Sequence, residues 1–502
     1  MTEKYGTAPV SEEFFTEDVF GDTVLCDVSE EFSLPEYEPE IRKILRVSAR
    51  VLPAGKYVGS GRAEFAGTVV YTLIYAGSEG EIACVNLSSD YEFAVPCPSG
   101  EPAVYADTRA DSVLCRPLGP RRLQFRTKLK SRVQMLSRAA LPACDAPKDA
   151  CVLRTAATAC RRMRTSGGEF EISGEIKLSG KPIACDGTVY VTDTRMERGA
   201  VYCKGELWAR VTCIDNGLVT VEKRIPFERR TEVDAEGDWE CAALPTCWSC
   251  EYSGDGVEGE ISAVAEIELE LSRVFPVSIV EDAFICGAPS ATEKKRVELT
   301  TCRLCGSATV PVSGSKNLTA EEAGADTVCA PWCEVSFDSA ERDGTGTVIR
   351  GNAVVHCILS GEGECAPVKL EMPIRAVLEG TAAEKGLPLT ACVKGEVTSL
   401  KLKTEKGVLR CEGEVSLSVV VTEKLQANAV CSVRADTSVP SERRCGISIV
   451  YPERGGTLWQ IAKQRQTAPE ELCRMNGLPE ELCADVDSPA TLEGVRALII
   501  KN

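Results

Sequence analysis

Histidine is almost absent from this 502-residue chain; His356 is the only one. A Ser-His-Asp or Cys-His catalytic set needs a base beside its nucleophile, so His356 alone could serve. No Gly-x-Ser-x-Gly elbow accompanies it, and strand alternation puts it on an outward, solvent-facing position. A phosphate-cradling Gly-x-x-x-x-Gly-Lys-Ser/Thr loop is missing too. No Asp/Glu constellation stands out from exposed strand faces, so no catalytic residue and no cofactor is expected. Basic charge is in deficit, with 57 Lys and Arg against 75 Asp and Glu and a net charge of −18. That balance argues against nucleic acid, whose phosphates demand clustered cations, and against an anionic membrane surface. Long apolar runs are lacking. Val69–Ala76 and Val415–Val421 are strand-length, far below the ~18 residues of a membrane span, so direct membrane insertion is not expected. Met1 to Phe20 carries five acidic residues, one lysine and no apolar stretch, which argues against a secretory signal. The expectation is a chain that stays where it is made.

Aromatic residues make up only 6% of the chain, whereas apolar residues make up 44%. Cores must therefore be built from Val, Leu, Ile, Ala and Cys. The 26 cysteines mostly stand singly inside strand patterns, as Cys203, Cys213, Cys357, Cys411 and Cys431 do, and read as reduced, small apolar fillers. Two Cys-x-x-Cys pairs, Cys247/Cys250 and Cys302/Cys305, could in principle supply four thiolates to zinc. Their wide separation and the lack of a knuckle glycine favour a structural role, so no metal is expected.

What the chain has in abundance is alternation. Gly67, Gly205 and Gly351 are each followed by a period-two apolar line: Val69/Tyr71/Leu73, Leu207/Ala209/Val211 and Ala353/Val355/Cys357. A turn comes after each (Ala76-Gly77-Ser78, Asp215-Asn216-Gly217, Ser360-Gly361-Glu362-Gly363), then a second strand with a proline at Pro96, Pro226 or Pro373. Further strands are expected at Arg122–Leu129, Glu258–Leu271, Cys392–Val397, Leu400–Leu402 and Glu412–Val421. Pro39 to Leu45 reads as a short helix or turn. The copies start about 140 residues apart. The expected fold is mainly β, with three β-rich, sandwich-like repeat units at residues 1–145, 146–290 and 291–440, and a small βααβ domain at 446–502.

In that tail, Ile447, Ile449 and Tyr451 alternate as a short strand ending near a Gly455-Gly456 turn. Thr457 stands where an N-cap hydroxyl accepts an orphan helix N–H. Leu458, Ile461 and Ala462 form one apolar helix face, and Trp459 lies about 100° off it. Thr467-x-x-Glu470 has the spacing of a capping box, with Pro469 in the first turn of a second helix and Gly477 just past its end. Leu498 to Ile500 closes the unit. These residues resemble a LysM domain, a module of cell-wall glycan binding and of spore assembly. Gly456 stands where that family's turn usually carries an acidic residue, and a long connection with Pro489 precedes the last strand. The changed turn argues against glycan binding.

The repeated β-unit joined to such a tail is similar to the SipL-like spore-coat morphogenetic proteins of clostridia. Leu34-Pro-Glu-x-x-Pro39-x-Ile41-x-x-Ile44-Leu45 and Ile225-Pro-Phe227 carry that likeness. The resemblance implies an adaptor in the mother-cell cytoplasm at the forespore surface, binding the coat-basement ATPase SpoIVA through LysM. Other coat proteins are candidate partners of the β-repeats. The expected grip is Ile447, Ile449, Gly455, Gly456, Thr457, Trp459 and Asn476, with Trp459 as a partly exposed anchor. The rival reading is a peptidoglycan-binding wall protein; a hydrolase with a LysM anchor is weaker still, since no catalytic set is visible.

Overall fold

The computed structural model describes residues 14–501 except 236, 255–257, 320–321, 323–326, 345, 362–364, 380, 382–386, 437, 439–445, 480–491 and 493. Glu362, Gly363 and the connection around Pro489 lie outside the described residues. The chain is mainly β. In order it forms β1 (Phe15–Ser33), β2 (Ile41–Val51), β3 (Gly55–Gly59), β4 (Arg62–Gly77), β5 (Ile82–Pro96), β6 (Ala103–Gly119) and β7 (Arg122–Ala139). After these come β8 (Ala150–Lys177), β9 (Lys181–Glu197), β10 (Ala200–Ile214), β11 (Leu218–Glu232), β12 (Glu240–Ser253) and β13 (Glu258–Ile285). The next group is β14 (Ser290–Asn317), β15 (Thr327–Asp343), β16 (Gly346–Ser360), β17 (Cys365–Glu379), β18 (Leu389–Glu405) and β19 (Val408–Ala435). The tail holds β20 (Ile447–Val450), α1 (Leu458–Arg465), α2 (Pro469–Asn476) and β21 (Leu498–Lys501).

The sheets come in pairs. One sheet of each pair has the orders β1-β7-β6, β8-β13-β12 and β14-β19-β18, so the first strand of a segment pairs with its last. The other is a meander: β2-β4-β5 with β3 on the end of β4, then β9-β10-β11, then β15-β16-β17. The alternation explains the layering. Val69, Tyr71 and Leu73 on β4 are buried, as are Leu207, Ala209 and Val211 on β10 and Ala353, Val355 and Cys357 on β16. They face Leu123 and Phe125 on β7, alternate residues from Ile261 to Leu271 on β13, and Val415, Leu417, Val419 and Val421 on β19, with Cys357 clustered with Leu409 further along that strand. The strands expected at Cys392–Val397 and Leu400–Leu402 are one strand, β18, interrupted by a bulge between Val397 and Ser399.

Pro39–Leu45 is a correction. It is no helix; Ile41 onward is strand β2. The register slips between Ile41 and Lys43 and again between Ile44 and Arg46. Each extra residue shifts the side-chain parity. Two closely spaced bulges therefore give a strand the i, i+3, i+4 apolar spacing of a helix.

The sheet pairs are packed against one another through buried charge. Arg46 on β2 bonds Asp186 on β9 at 2.7 Å and donates to the Ala330 carbonyl on β15 at 3.1 Å. Arg164 on β8 donates to Asp107 on β6 at 2.9 Å and also to Glu268 on β13, while Lys394 on β18 reaches Asp107 at 2.5 Å. Burial pushes the Asp107 carboxyl up, but Lys394 and Arg164 outweigh it and hold the group well below the usual carboxylate range.

β8 and β13 pair over almost their whole 28-residue lengths, from Lys177↔Glu258 to Ala150↔Ile285. β14 and β19, also 28 residues each, form a second such ribbon. The far ends of the two ribbons pack through Val280, Ala283, Ile285, Val430 and Val433. The tail sits there.

Candidate functional site

The tail is small and locally well determined. Thr457 caps α1 in both directions, its hydroxyl accepting from the Gln460 N–H and its N–H donating to the Gln460 side chain. Leu458, Ile461 and Ala462 are buried, as their stripe requires. Gln466 ends α1 in the left-handed region, φ 54°. α2 departs from expectation at its start. Its N-cap is Ala468, with Pro469 at the first helical position, where its missing N–H costs nothing. The Thr467 hydroxyl instead donates to the Arg465 carbonyl. Gly477 closes α2 at φ 60°, a conformation only glycine takes cheaply. β20 and β21 pair antiparallel, Ile449 opposite Ile499. Cys473 on α2 is disulfide-bonded, against the expectation of reduced cysteines.

The seven residues expected to form the grip divide into three groups. Gly455, Gly456, Thr457 and Asn476 are framework. Gly455 turns the chain at φ 79°, and the Gly456 carbonyl accepts from Leu492 N–H at 3.0 Å. The Asn476 amide donates to the Leu472 and Ile499 carbonyls at 2.8 and 2.9 Å and accepts from Ile499 N–H at 2.6 Å. It rivets α2 to β21. Ile447 and Ile449 form the second group and are open, 75% and 58% exposed. They share one face of β20, Ile499 (48%) is paired opposite Ile449, and Tyr451 (73%) follows just past the strand's end. Sequence reasoning missed Ile499, although its signal was present. Leu498 and Ile500 are apolar and buried, so the residue between them must point the other way.

Trp459 is the third group and a correction. Its ring is 7% exposed, not partly open. It meets Phe284 of β13 edge-on at 5.1 Å, and its indole N–H donates to an Asp282 carboxylate oxygen at 3.0 Å. The Lys463 ammonium lies 2.7 Å from both Asp282 oxygens. Burial raises the Asp282 carboxyl, but Lys463 and the indole hold it below its ordinary range. The off-stripe position of Trp459 is real; the body of the chain covers that face.

The other candidates for chemistry are scattered. His356 is half-buried on β16, not solvent-facing, flanked by Trp332 and Lys369 on the neighbouring strands. Burial first, then Lys369 and Arg46, push its pKa down and favour the neutral ring. The two Cys-x-x-Cys pairs sit in different cores, Cys250 with Leu207 and Ala263, Cys302 and Cys305 with Cys160 and Val420. Among the described residues no group of three or more His, Cys, Asp or Glu is placed to hold a metal ion. Two thiol pairs approach closely, Cys185–Cys250 at 3.5 Å and Cys151–Cys286 at 3.4 Å. A cavity of about 810 Å³ lies where the β4–β5, β10–β11 and β16–β17 turns converge, lined in part by Cys84, Lys181, Leu218 and Cys365. Among the described residues lining it there is no charged cluster and no nucleophile–base pair.

Burial pushes the Cys160 and Cys247 thiols up to about 12 and Cys302 to about 11. Since the thiolate is the nucleophile, these three are expected to resist iodoacetamide near neutral pH for hours and to label quickly in denaturant. Peptide mapping after timed alkylation checks this; rapid native labelling of any of them would refute it.

No family model, no curated protein and no solved structure matches this chain.

Proposed function

We propose that the chain is a non-enzymatic adaptor of the clostridial spore coat, with a LysM-type βααβ tail that grips the coat-basement ATPase, SpoIVA or its counterpart. The recurrent sheet pairs are read as three sandwich units of one body, docked on the forespore surface from the mother-cell side. The observation that carries the reading is the open apolar face of β20 and β21. Three large apolar side chains, Ile447, Ile449 and Ile499, stand together on a domain of some fifty residues, and the exposed Tyr451 follows directly after β20. Isolated exposed apolar residues need no explanation, whereas a grouped patch on a small module marks a docking surface. The resemblance of motifs supplies the partner, and the scattered arrangement of titratable groups supports the non-enzymatic part.

The test uses the purified full chain and the purified coat-basement ATPase. Ile447→Glu with Ile449→Glu is expected to weaken binding by about 30-fold or more, the loss of about 2 kcal/mol that a central apolar anchor carries. Both side chains are exposed, so circular dichroism and the unfolding midpoint should stay unchanged. Undiminished binding by the double variant would move the grip elsewhere. Sedimentation with wall sacculi and no ATPase binding would replace this reading with the wall-binding one.

A further inference from the structure

Helix α1 has two working faces. Leu458, Ile461 and Ala462 close the tail's own core, while Trp459 and Lys463, one turn apart, are spent on the body. What they hold is a short extended segment, Asp282-Ala283-Phe284. Its carboxylate takes the indole N–H and the ammonium, and its aromatic ring meets the indole edge. Leu153 of β8 borders the contact, and the Gly287 N–H donates to the Gln466 carbonyl at 2.7 Å.

The segment is aimed at the tail by a bulge. The pairing of β13 with β8 slips between Val280 and Asp282. One extra residue reverses the parity of the strand beyond it. Ala283 and Ile285 therefore continue the ribbon core that Val280 belongs to, and Asp282 and Phe284 turn together to the opposite face. In unbroken alternation Val280, Asp282 and Phe284 would share a side. The bulge thus presents an acidic and an aromatic side chain, two residues apart, on an extended backbone. Among the described residues the seam around them consists of one carboxylate, one ring pair and one backbone hydrogen bond beside a few apolar contacts. Narrow, partly polar seams between parts of a chain open readily.

We propose that the Trp459–Lys463 face of α1 is a receptor site for an extended acidic-x-aromatic segment, that Asp282-Ala283-Phe284 fills it from within, and that a partner presenting the same pattern displaces the internal copy. The proposal rests on the adaptor reading for the partner's role, and on the geometry alone for the site. It adds a second contact to the Ile447/Ile449 face and states the chemistry of what would occupy it.

The probe is a fluorescein-labelled peptide of residues 278–287 carrying Cys286→Ser, titrated by anisotropy onto the full chain. In the native chain the tethered copy competes at an effective concentration of order 1 mM, so binding should be weak. Asp282→Asn with Phe284→Ala vacates the site, and peptide affinity is expected to rise at least tenfold. Adding Trp459→Glu should abolish it. The near-isosteric single variant Asp282→Asn gives a smaller rise and serves if the double variant unfolds. No binding by a folded vacated variant up to about 1 mM, the tethered copy's own working range, overturns the site, as does binding indifferent to Trp459→Glu. A second arm titrates the peptide against the chain–ATPase complex. Competition supports the displacement step. ATPase binding that Ile447→Glu abolishes but saturating peptide leaves intact overturns displacement while the adaptor reading stands. ATPase binding absent from every variant sinks the adaptor reading and the displacement step, and the first arm still decides the site.

Discussion

Arg162→Met is expected to destabilise the chain by about 3–5 kcal/mol, the cost of removing one partner from a buried ion pair. Arg162 on β8 lies between Asp18 of β1 at 3.2 Å and Glu270 of β13 at 2.5 Å. The Arg162 and Glu270 side chains are 2% and 1% exposed. The guanidinium thus ties the first sheet of the chain to the ribbon that carries the tail. Methionine fills much of the same volume, so the loss comes from two carboxylates left without their counter-charge and not from a cavity. The double variant Arg162→Met/Glu270→Gln removes one orphaned charge and should recover a substantial part of the loss. Urea unfolding followed by circular dichroism near neutral pH checks both. A single-variant cost below about 1 kcal/mol, the range of an exposed pair, would mean that the charges are hydrated in solution.

Trp208→Ala is expected to cost a similar amount, about 3–5 kcal/mol, by a different route. Trp208 stands on β10 but is buried in the core of the next sheet pair, in one cluster with Tyr190, Val397, Met372 and Ile374. Arg210 and Arg224 lie over its ring at 4.3 and 5.5 Å, and its N–H donates to Glu222 at 3.1 Å. Truncation leaves a ring-sized void and two cations that lose their π-face. The damage should be local to the seam between the second and third meanders. Hydrogen exchange is therefore expected to rise in β10, β17 and β18 more than in β4 and β7. A uniform rise across all sheets would show that the indole supports the whole body and not that seam.

Both residues show what was and was not legible in the sequence. Period-two lines on β4, β10 and β16 identify the inner faces because each sheet buries one side against its own partner sheet. The same pattern cannot say whether the outer side meets water. On β10, Trp208 and Arg210 occupy outward positions that the next sheet pair covers, and His356 on β16 is half-covered for the same reason. Arg162 and Arg164, two apart on β8, look like an exposed polar face until the acidic partners of other strands close over them. The tail obeys the same logic. Caps, glycine stops and the Leu458 stripe are local signals and could be read. The burial of Trp459 depends on a bulge 177 residues earlier in the chain, which no local pattern announces. β2 misleads for a related reason, since bulges imitate helical spacing. Ile499 was readable and overlooked.

The paired ribbon of β8 and β13 gives the molecule a fixed gauge. Twenty-eight residues at about 3.3 Å each make a contour of at most roughly 90 Å, shortened by the breaks in register near Gly168 and Asp282. The tail is attached where β8 begins, and the convergence of the three hairpin turns lies just past where it ends, at Lys181. A partner held by the tail, as proposed above, would therefore be kept at a stand-off from the opposite pole. That distance is written in strand length and not in a flexible tether. An insertion of two residues per strand would lengthen it with every side chain kept on its face, whereas a single extra residue reverses the faces beyond it, as the bulge before Asp282 does.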